Sequence, residues 1–278
     1  MFNKKIIRKN IKQILALAIK DVRLKWRFKQ EFFIENFLPF LALFFPLIIF
    51  STLFQLEIDF FEGSYYTAEN YVLFLLLAYS VECSIFLLWY YRDLFYDEKT
   101  WKTLHGLMLA PVSKFNLLIG FLISGLLTRA FSIVITVIIC YILFPIPLMT
   151  LILVLIVMLC ISITFASMGF ILGVFVIVNE NISASLSIGI SFIALISCLF
   201  YPLQIFPESI HIFILMNPLY YYFDLLKLSW WSGINYREAM GYITIYHIIV
   251  VISFTIITPI FASFLFIKIY KKYGATGY

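Results

Sequence analysis

The sequence predicts an all-α membrane protein with six transmembrane helices. Of the 278 residues, 63% are hydrophobic and only 13% are charged, whereas a soluble domain is about 45–50% apolar and about 25% charged. Several apolar runs reach the ~20 residues that a helix needs to cross a bilayer. A soluble domain of this size leaves roughly a quarter of its chain surface exposed, which is too much to hide this apolar content. These observations exclude a water-soluble enzyme and a disordered chain.

The N-terminal segment 9–29 predicts an amphipathic helix that lies in the membrane interface. Its apolar side carries Ile11, Ile14, Leu15, Ala18, Val22 and Trp26, and its basic side carries Lys9, Lys12, Lys20, Arg23 and Arg27. Such a helix suits contact with anionic lipid headgroups. Ten of the twenty Lys and Arg residues precede residue 31, so the positive charge indicates membrane lipids as partners, and no nucleic acid. The alternative is a solvated basic tail.

Six apolar segments are predicted to span the membrane. They cover residues 32–56, 71–91, 115–143, 148–178, 182–201 and 242–267. Pro39 and Pro46 predict a kink in the first of them, because proline lacks the backbone donor that a continuous helix uses.

The stretch between the fifth and sixth spans differs from the rest, because its apolar pieces are too short to cross. We expect two short helices here, over 208–216 and 219–231, that fold back into the outer leaflet. Their tyrosines and tryptophans favour the level of the headgroups. This re-entrant segment is marked by Pro202, Pro207, Asn217, Pro218 and Asp224.

The charge distribution predicts the orientation. The N-terminal arm, the 92–114 loop and the C-terminal tail are basic, whereas the 57–69 loop carries four acids and no base. Since basic loops stay on the cytoplasmic side, both termini are predicted to be cytoplasmic.

Catalysis is poorly supported. The three histidines, His105, His211 and His247, fall in separate regions, and the four cysteines sit in apolar runs with no metal-ligand spacing. We find no zinc-protease pair, no nucleophile elbow and no phosphate-binding loop. The sequence therefore predicts no catalytic residue, metal ligand or cofactor in this chain, and any ATPase must be another polypeptide.

Two ionisable residues lie deep in predicted spans. Glu82 is ~15 Å along a helix from Arg92, and Arg129 is ~22 Å from Lys114. Charged groups at this depth usually face the interior of a helix bundle and pair. Because the two helices are sequential and antiparallel, Arg129 can reach Glu82 across the offset in depth. The pair is either a polar element of a transport path or a structural tie, and the sequence leaves both open.

The loop between the second and third spans predicts a short cytoplasmic helix. Leu104, Leu107 and Met108 fall on one face of it, and Pro111 ends it. Such a face suits docking into a groove of a partner. The alternative is a plain turn before the third span.

This loop also carries a family resemblance. Its sequence is Glu98-Lys99-Thr100-Trp101-Lys102-Thr103-Leu104-His105-Gly106-Leu107-Met108-Leu109-Ala110-Pro111-Val112-Ser113. It resembles the Glu-Arg-x-x-Gly-Thr-Leu-Glu-x-Leu-Leu-x-x-Pro-Val-Ser segment of type-2 ABC transporter permeases. The chain departs from that segment at Lys102, where the family usually has glycine, and at His105, where glutamate is common. A second stretch, 217–227, resembles the family's Asn-Pro-Leu-Thr-Tyr-x-x-Asp-x-x-Arg.

The resemblance implies an exporter in a prokaryotic cell membrane. Residues 98–111 would form a coupling helix seated on a separate ATPase subunit through Glu98, Trp101, Thr103, Leu104, Leu107, Met108 and Pro111. Two copies of the chain, as a homodimer, would join two ATPases, which hold the ATP and Mg. The cargo would be a hydrophobic or amphiphilic compound, moved outward by alternating access.

The sequence leaves other functions open. One is a polysaccharide or glycolipid exporter of the same class, and another is a transporter or channel that acts alone. An intramembrane enzyme should show a compact set of His, Asp or Glu, which the sequence does not indicate. An ABC subunit that signals or anchors without transporting is a further alternative.

Overall fold

The computed structural model describes residues 4–55, 66–67, 69–103, 106 and 113–273. Within these ranges all regular secondary structure is helical and no strand occurs. The predicted all-α class is therefore confirmed for the described chain.

The helices are numbered here in chain order. The first half of the chain contains α1 (Lys4–Arg27), α2 (Lys29–Ala42), α3 (Phe44–Gln55), α4 (Tyr71–Thr100) and α5 (Lys114–Leu143). The second half contains α6 (Leu148–Val178), α7 (Glu180–Ile196), α8 (Glu208–Met216), α9 (Pro218–Trp231), α10 (Tyr236–Tyr242) and α11 (Ile245–Tyr273). A short 3-10 helix, Leu203–Ile205, precedes α8.

Four of these helices, α4, α5, α6 and α11, are long and apolar enough to cross a membrane. They correspond to the second, third, fourth and sixth predicted spans. The bounds of α6 are the predicted ones, and α5 begins one residue earlier than predicted. Helix α4 continues past the predicted end at residue 91 to Thr100, so its last turns carry the charged residues that sequence reasoning assigned to a loop.

The first predicted span, 32–56, is broken into two helices in the structure. Helix α2 has 14 residues and α3 has 12, with a turn at Leu43 between them. Pro46 lies in the first turn of α3, where its missing N–H leaves no helical hydrogen bond unmade. The predicted kink is thus present as a complete break.

The fifth predicted span, 182–201, ends early. Helix α7 has 17 residues and stops at Ile196, which is fewer than the ~20 that a full crossing needs. Cys198 takes a left-handed φ of 59°, and the Lys227 ammonium donates a 2.7 Å hydrogen bond to its carbonyl. The buried Lys227 ammonium therefore satisfies a backbone carbonyl in the turn that follows α7.

Helix α4 forms the centre of the bundle and packs closely against α6. A Cβ placed at Gly169 would lie 2.6 Å from the Leu87 carbonyl oxygen and 2.8 Å from the Leu88 Cα. At Gly173, one turn further on, a Cβ would lie 2.9 Å from the Tyr91 carbonyl oxygen. Small residues four apart allow helix backbones to approach at this distance, as in other membrane helix pairs.

Polar side chains join the spans inside the bundle. Ser84 of α4 and Ser162 of α6 lie 3.1 Å apart through their hydroxyls. The Tyr222 hydroxyl of α9 contacts Thr164 of α6 at 2.9 Å and the Val251 carbonyl of α11 at 2.9 Å. Such bonds tie helices together where no water competes for them.

The outer faces of α6 and α11 are strongly apolar. Met149 is 81% exposed and Ile245 is 70% exposed, and many large aliphatic side chains beside them are exposed too. Monomeric soluble proteins rarely show continuous apolar patches of this extent. These faces indicate a membrane protein with lipid around its helices.

Candidate functional site

The C-terminal end of α4 closes with a helix-terminating turn. The N–H of Thr103 donates to the Glu98 carbonyl at 3.0 Å, and the N–H of Lys102 donates to the Lys99 carbonyl at 3.1 Å. This pair of bonds is the Schellman arrangement. Residues 98–100 of the helix expected over 98–111 are thus the last turn of α4. Of the remaining residues, Gly106 is helical, and 104–105 and 107–112 lie outside the described residues.

Lys102 adopts a φ of 59°, in the left-handed region. This conformation favours glycine, because a Cβ there is crowded by the backbone. Lys102 therefore ends α4 in a backbone conformation that is strained for a residue with a Cβ.

Replacing Lys102 with glycine is expected to raise the free energy of unfolding by about 1 kcal/mol, because glycine relieves the left-handed strain. The same change at Lys12, in the regular part of α1, is expected to lower it by about 1 kcal/mol. Unfolding of the purified chain in mixed micelles measures both. Equal destabilisation by the two variants would contradict the strained turn.

Glu98 links this turn to the N-terminal helix. Its side chain is buried in the last turn of α4, and Lys20 of α1 donates to its Oε1 at 2.9 Å. The Thr103 hydroxyl donates to its other oxygen, Oε2. Burial lowers the Lys20 pKa, but the Glu98 carboxylate outweighs this and leaves that pKa above its ordinary value. The ion pair therefore holds α1 against the end of α4.

The start of α5 is also held by α1. Ser113 caps α5 by accepting from the Asn116 N–H at 3.1 Å. The Asn116 side-chain amide donates to Gln13 at 2.8 Å and to Asn10 at 3.1 Å. The two ends of the segment between Glu98 and Asn116 are thus both bonded to side chains of α1.

Asp21, the residue after Lys20 in α1, is buried. The Ser124 hydroxyl of α5 is 3.3 Å from its Oδ2, and the Lys20 ammonium is 3.8 Å from its Oδ1. Burial raises the pKa of Asp21 to about 6. This carboxyl is consequently a titrating group close to the ion pair of Glu98.

Lys99 connects the same turn to α6. Its ammonium donates to the Val176 carbonyl of α6 at 3.2 Å. A cation at the C-terminal turn of a helix is favoured by the partial negative charge there.

Arg129 of α5 pairs with Glu35 of α2. Its Nη2 lies 2.9 Å from Glu35 Oε2, and its Nη1 donates to the Glu35 backbone carbonyl at 2.9 Å. Lys25 of α1 reaches the other carboxylate oxygen at 2.9 Å. Pro39 explains the carbonyl contact, because it lacks the N–H that would otherwise bind the carbonyl four residues earlier.

The expected pairing of Arg129 with Glu82 is therefore corrected. The face of α4 that meets Arg129 includes Phe86, whose ring centre lies 5.2 Å from the guanidinium carbon. It also includes Tyr79 and Tyr90, at helical spacing from Phe86. Glu82, four residues before Phe86, is half-buried, but the guanidinium bonds that the structure shows go to Glu35. The depths obtained by counting residues thus did not decide which carboxylate Arg129 meets.

A cavity of about 340 Å³ lies between α1, α2, α4 and α5. Charged groups line it together with aromatic rings, namely Asp21, Lys25, Glu35, Trp89, Glu98, Trp101 and Arg129. It extends along α4 from Phe86 to Trp101 and so joins the Arg129 pair to the Glu98 turn in one site.

A second buried polar cluster lies in the segment expected to be re-entrant. His247 of α11 contacts Asp224 of α9 at 2.9 Å through Nε2. The Thr244 N–H lies 3.2 Å from His247 Nδ1, so Nδ1 accepts that bond and Nε2 carries the proton donated to Asp224. A cavity of about 290 Å³ beside this pair is lined by Tyr220, Tyr221 and other tyrosines.

Four of the five marker residues of this segment sit at helix ends, whereas Asp224 lies inside α9. Pro207 precedes α8, Pro218 is in the first turn of α9, and Pro202 precedes the 3-10 helix. Asn217 caps α9 by accepting from the Leu219 N–H at 3.1 Å, and its amide donates to Ser197. The two short helices have the bounds predicted for them, except that α9 begins one residue earlier.

Several site residues were placed only by the structure. Glu98, Trp101 and Thr103 are at the α4 turn, whereas Leu104, Leu107, Met108 and Pro111 lie outside the described residues. Sequence reasoning missed Lys20, Glu35 and the pairing of His247. The position of Glu35 four residues before Pro39 was the one available signal, because it marks a carbonyl that needs another donor.

Within the described ranges, no group of three or more His, Cys, Asp or Glu side chains could hold a metal ion. Comparison with known families finds no family model that matches the chain, and comparison with curated proteins finds no matching relative.

Proposed function

We propose that the chain is the membrane-spanning permease subunit of an ATP-driven exporter of the type-2 ABC class. It would act as a homodimer with two separate ATPase subunits, in a prokaryotic cell membrane, with both termini cytoplasmic. The cargo would be a hydrophobic or amphiphilic compound moved outward by alternating access.

The observation that carries the proposal is the backbone turn at Lys102. The resemblance rests on a segment in which the family has glycine at this position, and the chain has lysine. The left-handed φ of 59° is the conformation that glycine adopts without strain. The glycine that the family usually has would therefore fit this backbone without strain, and this compatibility is what supports the resemblance.

The surroundings of the turn support a role in transmitting force. Lys20 binds Glu98, and Lys99 binds the end of α6. A push on this turn would therefore reach α1, α4 and α6 together. An ATPase can shift the permease between two states only if ATP binds one of them more tightly. The contacts of the turn would couple that difference in binding to the positions of α1, α4 and α6.

The cavity beside the turn supports an amphiphilic cargo. Its lining combines the Trp89 and Trp101 rings with the ion pairs of Glu35 and Glu98. Apolar surfaces with a few placed polar groups are the usual composition of a small-molecule site.

Purification of the tagged full chain from its native membranes tests the proposal. We expect an ABC ATPase to co-purify and to hydrolyse ATP. The L104D/L107D double variant should lose it, because two charges on an apolar docking face prevent seating. The control I234D/M240D changes two exposed apolar residues far from the loop and should retain it. Transport by the chain alone in liposomes would overturn the proposal.

A further inference from the structure

Helix α1 presents a surface that nothing in the described chain covers. Its inner face packs on α5, where a Cβ at Gly120 would lie 2.8 Å from the Leu17 Cβ. Its outward surface carries an apolar row, with Ile11, Leu15 and Trp26 each 48–52% exposed. Beside that row lie the exposed bases Lys12, Arg23 and Arg27. The predicted apolar stripe is thus split, since Ala18 is buried against the protein.

The charge of this outward surface identifies its occupant. Bases beside an exposed apolar row match a bilayer with anionic headgroups, into which such a row inserts. Each Lys or Arg close to an anionic membrane surface adds to the attraction, and salt screens it.

The inner face of α1 holds both ends of the loop expected to bind the ATPase. Lys20 binds Glu98 before the loop, and Gln13 binds Asn116 after it. Through these bonds, a shift of α1 at the membrane surface would act on both ends of residues 98–116.

We propose that α1 senses anionic lipid in the cytoplasmic leaflet and, through the Lys20–Glu98 ion pair, orders the turn at residues 101–103. When anionic headgroups bind the outward bases, α1 settles on the surface and Lys20 is held against Glu98. In neutral lipid α1 is less tightly held, and the turn opens more often. The effect on ATP hydrolysis rests on the proposed function, whereas the lipid response of the turn does not.

Hydrogen exchange on the full chain in nanodiscs tests this inference without an ATPase. The lipids are phosphatidylcholine alone or phosphatidylcholine mixed with phosphatidylglycerol, and the readouts are the amides of α1 and of residues 101–103. We expect amide exchange at both places to be about fivefold slower in the anionic discs. That factor corresponds to the attraction of about one basic residue to an anionic surface. High salt should remove the difference.

Three variants separate sensing from transmission. R23Q/R27Q should lose most of the lipid response at both places. K20Q should keep the response of α1 but lose it at 101–103, and K20R should restore it. K268Q removes an exposed base from the last turns of α11, far from α1, and should behave as the unaltered chain does.

Two results would overturn the inference. One is equal exchange of the unaltered chain in neutral and anionic discs, and the other is an unchanged response at 101–103 in K20Q. Neither result bears on whether an ATPase co-purifies, so failure here is distinguishable from failure of the proposed function.

Discussion

Replacing Arg129 with alanine is expected to lower the free energy of unfolding by about 3 kcal/mol, the usual cost of breaking a buried ion pair. The Arg129 side chain is only 4% exposed, and it binds both the carboxylate and the carbonyl of Glu35. Without it the carboxylate keeps Lys25, but the carbonyl has no helical donor, because residue 39 is proline. Unfolding by SDS titration in mixed micelles measures the loss.

Arg92 provides the matched control. It pairs with Asp93, whose side chain is 52% exposed, so Arg92→Ala should cost no more than about 1 kcal/mol. Equal effects of the two alanine substitutions would show that the Glu35 pair adds nothing to stability.

A double-mutant cycle with Pro39→Ala tests the carbonyl contact. Alanine restores an N–H for the Glu35 carbonyl, which is worth about 1 kcal/mol once Arg129 is gone. The gain from Pro39→Ala should therefore be larger in the Arg129→Ala chain than in the unaltered chain. Identical gains would mean that the Arg129 bond to the carbonyl is without consequence.

The same variant distinguishes the two roles of Arg129 that the sequence left open. If Arg129 is a structural tie, transport activity should fall in proportion to the amount of folded protein in the membrane. Lost transport at normal protein levels would instead assign Arg129 to the transport path.

Replacing Gly169 with alanine is expected to cost about 3 kcal/mol, because the added methyl group meets backbone that cannot move aside. Its Cβ would lie 2.6 Å from the Leu87 carbonyl oxygen and 2.8 Å from the Leu88 Cα. Relief requires α4 and α6 to separate, which would disturb the centre of the bundle. The loss should appear both in SDS titration and as reduced yield of folded chain.

Gly189 in α7 is the control for this substitution. A Cβ there meets nothing within 4 Å, so Gly189→Ala should stabilise the helix by about 0.5–1 kcal/mol through the lower flexibility of alanine. Destabilisation at Gly189 as large as at Gly169 would rule out close backbone contact as the cause.

Local sequence features were sufficient to locate most of the helices. The run of apolar residues predicted α6 with its observed ends, and the prolines near 207 and 218 predicted the starts of α8 and α9 closely. These features work because helix length and helix ends depend on neighbouring residues, through hydrophobic runs, missing N–H groups and caps. The break at Leu43 and the early end of α7 at Ile196 were less accessible. The turn after α7 is bonded to Lys227, 29 residues from Cys198, which no local pattern indicates.

The residues of the polar site come from different helices, and no local sequence pattern shows which of them meet. By sequence alone the chain was determined to be helical, apolar and basic near its N-terminus, because composition and periodicity are sums over adjacent residues. Only the tertiary structure decided that Arg129 meets Glu35 and that Lys20 meets Glu98. Depth along a helix follows from counting residues, but the side on which a charge finds its partner depends on how the helices rotate against each other, and close contacts such as that at Gly169 set this rotation.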